Sequence, residues 1–204
     1  MINTADYFLP DIQLLKENQQ HYLVWIPDKS YIVLGASNHA EDSLHIENVK
    51  QDQIMVMKRP SGGQTVMLTP NNLIISAVYF NPGAVQPKEV FHSINTMIIS
   101  VLELAGIENL SMNGISDISI AGKKILGSAI YSSKDALLYH AVLNLGEPSS
   151  TFERYLKHPV KEPDYRKGRK HGDFVTSLKE KGFSESYSYL ANKLSQTFEA
   201  SFHS

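Results

Sequence analysis

The chain is organised around residues 58–72, KRPSGGQTVMLTPNN, a predicted strand end that runs into a glycine turn. Residues 117–129, DISIAGKKILGSA, form a predicted hairpin with a lysine just before a second small-residue turn. The glycines of both stretches leave backbone amides open to close approach by an anion; they are Gly62, Gly63, Gly122 and Gly127. Arg59 and Lys124 add the positive charge that a carboxylate or phosphate requires. We therefore predict that the two stretches are the halves of one site.

The composition is typical of an ordinary globular protein. With 204 residues, 42% of them hydrophobic, we predict a single α/β domain over residues 1–204. A net charge of −2 gives no bulk electrostatic reason to expect a nucleic-acid partner. The sequence contains no cysteine, which excludes disulfides, thiolate zinc sites and a cysteine nucleophile. Residues 1–20 do not read as a signal peptide, and no apolar run approaches membrane-spanning length. We expect a soluble, cytoplasmic protein without a membrane partner.

Apolar residues that recur every three or four positions predict a central helix over residues 87–106, which Gly106 ends. Further helices are predicted at 6–18, 174–181 and 187–202, and one helical turn within 37–49.

Two β-rich runs, residues 22–26 and 30–35, are predicted to form a hairpin through the turn Pro27-Asp28-Lys29. Other predicted strands are 54–59, 73–80, 118–120, 125–131 and 137–145. Strands before and after one central helix predict an α/β (α+β) fold: a mixed, largely antiparallel sheet backed by helices on one side.

Each of these signals also has a simpler explanation. A lone Ser-Gly-Gly is usually just a turn, and the loop matches neither a Walker A motif nor a dinucleotide fingerprint. Lysines in a hairpin usually lie on a solvent-exposed strand edge, where they discourage pairing with another chain. Lys124, however, is followed by apolar and small residues, which favours a position at the lip of an apolar pocket, where its charge is less screened. The histidines show no paired ligand spacing, so we predict no protein metal site. The basic run 166–171 fits either an RNA-like patch or a loop that meets an acidic protein or a phosphate.

The pattern Arg-x-Ser-Gly-Gly, then Asn-Leu, then Asp-Ile-x-x-x-Gly-Lys-Lys-Ile-x-Gly-Ser-Ala resembles the lipoate–protein ligase A family of the biotin/lipoate protein ligase superfamily. The likeness covers most of the chain, with further matching segments in SYIVLGASNHAED, KRPSGGQTVMLTPNNL, SDISIAGKKILGSA, LLYHAVLNLG and YLKHPVKEPDYRKGR. The resemblance implies a fold like the catalytic domain of class II aminoacyl-tRNA synthetases and biotin ligases. It also implies a short form without the C-terminal accessory domain of longer members.

The implied reaction has two steps. ATP, with Mg²⁺ expected, activates lipoate or octanoate to an acyl-adenylate; a lysine of an apo lipoyl domain or H-protein-type acceptor then attacks it. The lysine matching Lys124 is implied to be catalytic, because its ammonium stabilises charge on the carboxyl and phosphate oxygens. Arg59 and the amides of Ser61 to Gly63 would hold the acyl-phosphate, and Asp117 would hydrogen-bond or assist magnesium. Other residues expected to bind substrate or nucleotide are Gln64, Asn72, Gly127, Ser128, Ala129 and His140, the last read from its apolar strand as a hydrogen-bonded core histidine. Val66 and residues 125–129 are the expected lining of a tunnel for the acyl tail.

The chain departs from the family pattern inside the predicted site. Gln64 stands where the family usually has a third glycine, and Leu68 where it has a histidine. Ser116 and Ala141 also differ from the usual residues. Two alternatives to the ligase therefore stay open: an acyltransferase that uses a preformed adenylate, and a non-catalytic member that binds a lipoyl domain or small acid. A separate accessory chain is a further expected partner.

Overall fold

The computed structural model describes residues 2–16, 21–83 and 85–202. Its larger sheet has six strands, all antiparallel. These strands are β2 (His21–Trp25), β6 (Asn72–Phe80), β7 (Leu110–Asn113), β8 (Asp117–Ile120), β9 (Lys123–Ser132) and β10 (Ala136–Asn144). Their spatial order is β2-β6-β10-β9-β8-β7.

The smaller sheet has four strands and is mixed. Its members are β1 (Thr4–Asp6), β3 (Tyr31–Leu34), β4 (Met55–Lys58) and β5 (Val66–Leu68). The order is β1-β4-β3-β5. Strand β4 runs parallel to both β1 and β3, whereas β5 is antiparallel to β3.

The described helices differ greatly in length. They are α1 (Ala40–Ser43), α2 (Ile46–Gln51), α3 (Pro87–Leu104), α4 (Ser149–Tyr155), α5 (His171–Phe174) and α6 (Tyr187–Phe202), with 3₁₀ helices at Pro10–Lys16, Asp164–Arg166 and Lys179–Lys181. The Glu89 carboxylate accepts a 3.1 Å hydrogen bond from the Gln86 amide at the start of α3, as in a capping box. Within the described residues, no helix has the length and apolar character needed to span a membrane.

Side-chain alternation sorts the six-stranded sheet into two faces. One face packs against α3 and α6 through a core that includes Leu73, Ile75, Tyr139, Ile98 and Phe198. The opposite face packs against the smaller sheet, where Ile74 meets residues of β3, β4 and β5. The molecule is therefore a helical layer, a large sheet and a small sheet, and the candidate site lies between the two sheets.

The predicted α/β class, the largely antiparallel sheet and its helical backing are confirmed. The long helices predicted at 87–106 and 187–202 correspond to α3 and α6. The predicted hairpin of residues 22–26 and 30–35 is wrong, because β2 pairs with β6 whereas β3 pairs with β4 and β5. The two runs belong to different sheets, so the prediction of one mixed sheet is corrected to two.

Two predicted helices are also corrected. Within 6–18, Asp6 ends β1 and residues 10–16 form a 3₁₀ helix, while residues 17–18 lie outside the described residues. The stretch 174–181 is not one helix. Phe174 ends α5 and residues 179–181 form a 3₁₀ helix, and between them the amides of Thr176 and Leu178 donate to the carbonyls of Lys124 and Asn144. Strands β5 and β7 and helices α4 and α5 were not predicted, and residues 37–49 contain α1 and the start of α2 rather than one turn.

Candidate active site

Two adjoining cavities border the face of β9 and β10 that is turned away from α3 and α6. Cavity A has a volume of about 610 Å³ and is lined by β3, β5, β6, β9 and β10. Cavity B has a volume of about 450 Å³ and extends towards α4, α5 and residues 157–166. Lys124 lines both cavities. Other residues common to the two walls are Gln64, Val66, Gly127, Val142, Lys161 and Pro163.

A β-bulge in β9 sets the direction of Lys124. Gly127 pairs with Asp117 and Lys124 pairs with Ser119, so the register shifts by one residue between them. In a regular strand, residues three positions apart would lie on opposite faces. The extra residue therefore brings Lys124 and Gly127 to the same face as Asp117. A Cβ at Gly127 would lie 2.5 Å from Lys124 Nζ, so a larger residue there would displace the lysine.

The Lys124 ammonium forms an ion pair with Asp117, with 2.8 Å between Nζ and Oδ1. The other oxygen of Asp117 accepts a 2.7 Å hydrogen bond from Tyr165. Burial and the nearby Asp117 raise the pKa of Tyr165, so its hydroxyl stays a donor. The Lys124 side chain is 29% exposed. It is held in place by Asp117 yet open to both cavities.

Arg59 organises the glycine loop from inside. Its Nη2 donates to the carbonyls of Gly62 and Gln64, both at 2.8 Å, and its Nε donates to Ser61 Oγ at 2.9 Å. A Cβ at Gly63, which has a φ of +86°, would lie 3.1 Å from Nη2. Burial lowers the pKa of Arg59 to about 10, so the side chain remains charged at neutral pH. Arg59 thus fixes the loop with its hydrogen bonds and contributes a positive charge to the wall of cavity A.

His140 belongs to a buried hydrogen-bonded network. Its Nε2 lies 2.6 Å from Ser61 Oγ and its Nδ1 lies 3.4 Å from the carboxylate of Asp11. Asp11 also accepts a 2.7 Å hydrogen bond from Tyr7. Burial lowers the pKa of His140, so the ring is neutral at neutral pH. Because a carboxylate accepts, we assign the proton to Nδ1, and Nε2 then accepts from the Ser61 hydroxyl.

The other predicted residues separate into walls and supports. Val66, Gly127, Ser128 and Ala129 line cavity A, while Ile125 lines cavity B. Gly62 is exposed. Asn72 is fully buried and its Oδ1 accepts from the Thr69 amide at 2.8 Å, so its side chain fixes the turn before β6 beside cavity B.

Sequence reasoning missed several residues of the two cavities. Tyr7 and Asp11 were assigned only to a predicted helix, and Tyr165 appeared only within the family-like segment. The spacing of Tyr7 and Asp11, four residues apart, is too common to mark a site. The strongest available signal was the family-like segment YLKHPVKEPDYRKGR, which contains Lys161 and Tyr165.

Cavity B has a positively charged wall. Lys124, Lys157, Lys161 and Arg166 line it, and these cations suit phosphate oxygens. His171 also lines it, but burial lowers the pKa of His171 to about 4, so it is neutral at neutral pH. In the described ranges, no group of three or more His, Cys, Asp or Glu side chains could hold a metal ion.

The chain is similar in sequence to known proteins. Residues 5–199 match the model of the lipoyl protein ligase A/B catalytic domain. The chain is 24% identical over 164 residues to lipoate-protein ligase LplJ of Bacillus subtilis, an alignment that covers 79% of this chain and 46% of that protein. It is 23% identical over 185 residues to inactive lipoate–protein ligase 2 of Plasmodium falciparum, covering 74% and 48% respectively. The chain thus spans about half the length of the curated relatives it matches.

Solved structures show the same fold. The bi-partite lipoate protein ligase of Thermoplasma acidophilum, described with its E2 lipoyl domain, superposes with a TM-score of 0.80 at 20% identity, over 95% of this chain and 76% of that one. A lipoate-protein ligase A bound with ATP gives a TM-score of 0.79 at 20% identity, over 95% and 78%. Since the family model matches nearly the whole chain, this protein belongs to the lipoyl protein ligase A/B catalytic domain family.

Proposed function

We propose that residues 1–204 act as one catalytic domain that activates lipoate or octanoate with ATP and transfers the acyl group to a lysine of an acceptor lipoyl domain. The observation that carries this proposal is the position of Lys124 on the walls of both cavities. An acid in cavity A and a nucleotide in cavity B would meet at this ammonium. The relative described as bound with ATP and the ligase described with its lipoyl domain support the choice of substrates.

In the first step, an oxygen of the acid's carboxylate attacks the α-phosphorus of ATP. A C–O–P linkage forms, and the bond to the β-phosphate oxygen breaks to release pyrophosphate. Negative charge spreads over the phosphate oxygens, where a preorganised ammonium stabilises it. Asp117 holds Lys124 in position through the 2.8 Å ion pair, and Tyr165 holds Asp117 through a 2.7 Å hydrogen bond.

In the second step, the neutral amine of the acceptor lysine attacks the acyl carbon. An amide bond forms, the C–O bond to the phosphate breaks, and AMP leaves after the amine loses a proton. Lys124 again lies beside the oxygens that gain charge. Both oxygens of Asp117 are already engaged, so Mg²⁺ enters this proposal as an ion bound mainly by the phosphates of ATP.

The walls of cavity A favour an apolar acyl tail. Val33, Val66, Leu68, Ile74 and Val142 line it. Gln64 and Leu68, the two departures from the family pattern in the glycine-loop region, both belong to these walls. These two residues therefore influence which acid is bound. They also support the alternative that the chain binds an acid without turnover, as does the name of the inactive Plasmodium relative.

The test is pyrophosphate release from ATP by the purified protein, offered lipoate, octanoate and biotin in turn. We expect release with lipoate or octanoate and not with biotin. Silence with all three acids, with and without an accessory subunit, would overturn the ligase. Lipoyl-adenylate with an apo lipoyl domain would then separate an adenylate-using transferase from a binding protein.

A further inference from the structure

Buried polar atoms without partners cluster at cavity B. In the described part of the chain, four buried side-chain atoms lack a hydrogen bond: Trp25 Nε1, Asn38 Oδ1, Thr65 Oγ1 and Arg166 Nη2. The last three belong to residues that line cavity B. Buried polar groups in folded proteins are nearly always paired, so this cluster indicates that a polar ligand completes the cavity.

Arg166 is fixed in place with one donor group left over. It is only 4% exposed, and its guanidinium lies 4.7 Å from the centre of the Phe174 ring. Its Nε donates to the carbonyl of Arg169 at 2.9 Å and lies 3.4 Å from the Glu162 carboxylate. These contacts engage one edge of the guanidinium and leave Nη2 without a partner. A preoriented guanidinium of this kind is well suited to bind phosphate oxygens.

The surrounding charge agrees with an anionic ligand. Lys124, Lys157 and Lys161 line the same cavity, together with the acidic Asp42. Within the basic run 166–171, the two arginines are packed rather than solvated, because Arg166 and Arg169 both lie against the Phe174 ring, at 4.7 and 5.2 Å. One of its members instead faces a ligand-sized space.

We propose that Arg166 Nη2 binds the polyphosphate of the nucleotide in cavity B. This inference rests on the proposed function for the identity of the nucleotide as ATP. It assigns a phosphate-binding role to a residue of the 157–170 segment, whereas the proposed catalysis depends on Lys124.

The test is calorimetric titration of the full chain with tripolyphosphate, without acid or acceptor. We expect binding by the wild type and a loss of affinity of about tenfold or more in Arg166→Gln, since a hydrogen bond between charged groups is removed. Lys170→Gln is the matched control: it removes one charge from the same segment at an exposed position, and we expect affinity close to wild type. Should Arg166→Gln not fold, Arg166→Lys is used, with the same loss expected because an ammonium does not reproduce the planar donor group.

No binding by the wild type would overturn the inference, as would wild-type affinity in a folded Arg166 variant. An equal loss in Lys170→Gln would also overturn it, because the effect would then come from diffuse charge. The proposed function fails separately. Tripolyphosphate binding that depends on Arg166, without acid-dependent pyrophosphate release, would keep the anion site and reject the ligase.

Discussion

Lys124 lines both cavities and forms the ion pair with Asp117, so its removal should affect both the chemistry and the stability. We expect Lys124→Ala to lower acid-dependent pyrophosphate release by about a hundredfold or more, as loss of a preorganised charge does. The variant also leaves Asp117, whose side chain is 9% exposed, with only Tyr165 as a hydrogen-bond partner. We therefore expect a loss of unfolding free energy of roughly 1–3 kcal/mol, measured by urea denaturation.

The neighbouring lysine is the matched control for this variant. Lys123 donates to the carbonyl of Gly172 at 3.1 Å, so its amine serves the packing of α5 and not the ion pair with Asp117. Lys123→Ala should keep a rate close to that of the wild type. A Lys124→Ala protein that also keeps the wild-type rate would contradict the role assigned to Lys124.

His171 makes a pH-dependent contribution to stability. Burial, followed by the charge of Arg166, lowers the pKa of His171 to about 4. Glu153 raises this pKa, whereas His158 and His45 lower it further. The unfolded chain takes up this proton near pH 6.5. Between these pH values the unfolded state binds more protons, so stability falls as the pH drops from about 6.5 to 4. After allowance for partial exposure, we expect the wild type to lose roughly 1 kcal/mol more than His171→Gln. The unfolding free energy of both proteins is measured by urea denaturation at pH 7 and 4.5. An equal loss in the wild type and in His171→Gln would contradict this prediction.

Among the elements, strand β9 depends most on one particular residue, the glycine beside the Lys124 side chain. A Cβ at Gly127 would lie 2.5 Å from Nζ and 2.6 Å from Cε of Lys124. Gly127→Ala should therefore displace the lysine from Asp117 and reduce pyrophosphate release at least about tenfold, since misplacement of a catalytic group by about 1 Å is costly. The fold should persist, because the displaced atoms are the end of a flexible side chain. The control is Gly62→Ala, where a Cβ meets nothing within 4 Å; it should retain activity, and equal losses in both variants would refute the steric explanation.

Local periodicity predicted the long helices correctly, because a helix can be recognised from its own sequence without knowledge of what it packs against. Helices α3 and α6 were predicted because each buries one apolar stripe. The hairpin of β2 and β3 was not real, because a turn sequence such as Pro27-Asp28-Lys29 fits a hairpin and a crossing between sheets equally well. The partner of β2 is β6, about fifty residues away in sequence. Similarly, residues 174–181 do not form one helix, because the amides of Thr176 and Leu178 bond to the carbonyls of Lys124 and Asn144, which no local pattern shows.

From the residues alone, the site could be predicted only where a charged side chain or a glycine marks it in the sequence. Lys124 and Gly63 were predicted because a charge and a missing side chain are visible in the sequence, whereas Gln64 was named only through the family resemblance. Asp11 was not predicted, since its bonds to Tyr7 and His140 form only when the 3₁₀ helix packs on β10. The register shift at Ile125 was also invisible, although it decides the face on which Lys124 lies.

At the scale of the whole molecule, the core that stabilises the fold and the cavities that would select the substrate lie on opposite faces of the large sheet. Phe198 of α6 is fully buried and packs against Tyr22 and Phe202, with ring centres 5.6 and 6.1 Å away. This core lies on the helical face of the large sheet, opposite both cavities.

Phe198→Ala should lower the unfolding free energy by about 3–5 kcal/mol, the usual cost of a large cavity in a core. In the fraction that stays folded, the ratio of lipoate-dependent to octanoate-dependent pyrophosphate release should remain that of the wild type, because the walls of cavity A are unchanged. Val142→Met is the counterpart, since Val142 lines both cavities and a longer side chain there would narrow the space for the acid. We expect this variant to change the ratio while losing less stability. A shifted ratio in Phe198→Ala would mean that the helical layer shapes the acid site through the sheet, and the separation between layers would be wrong.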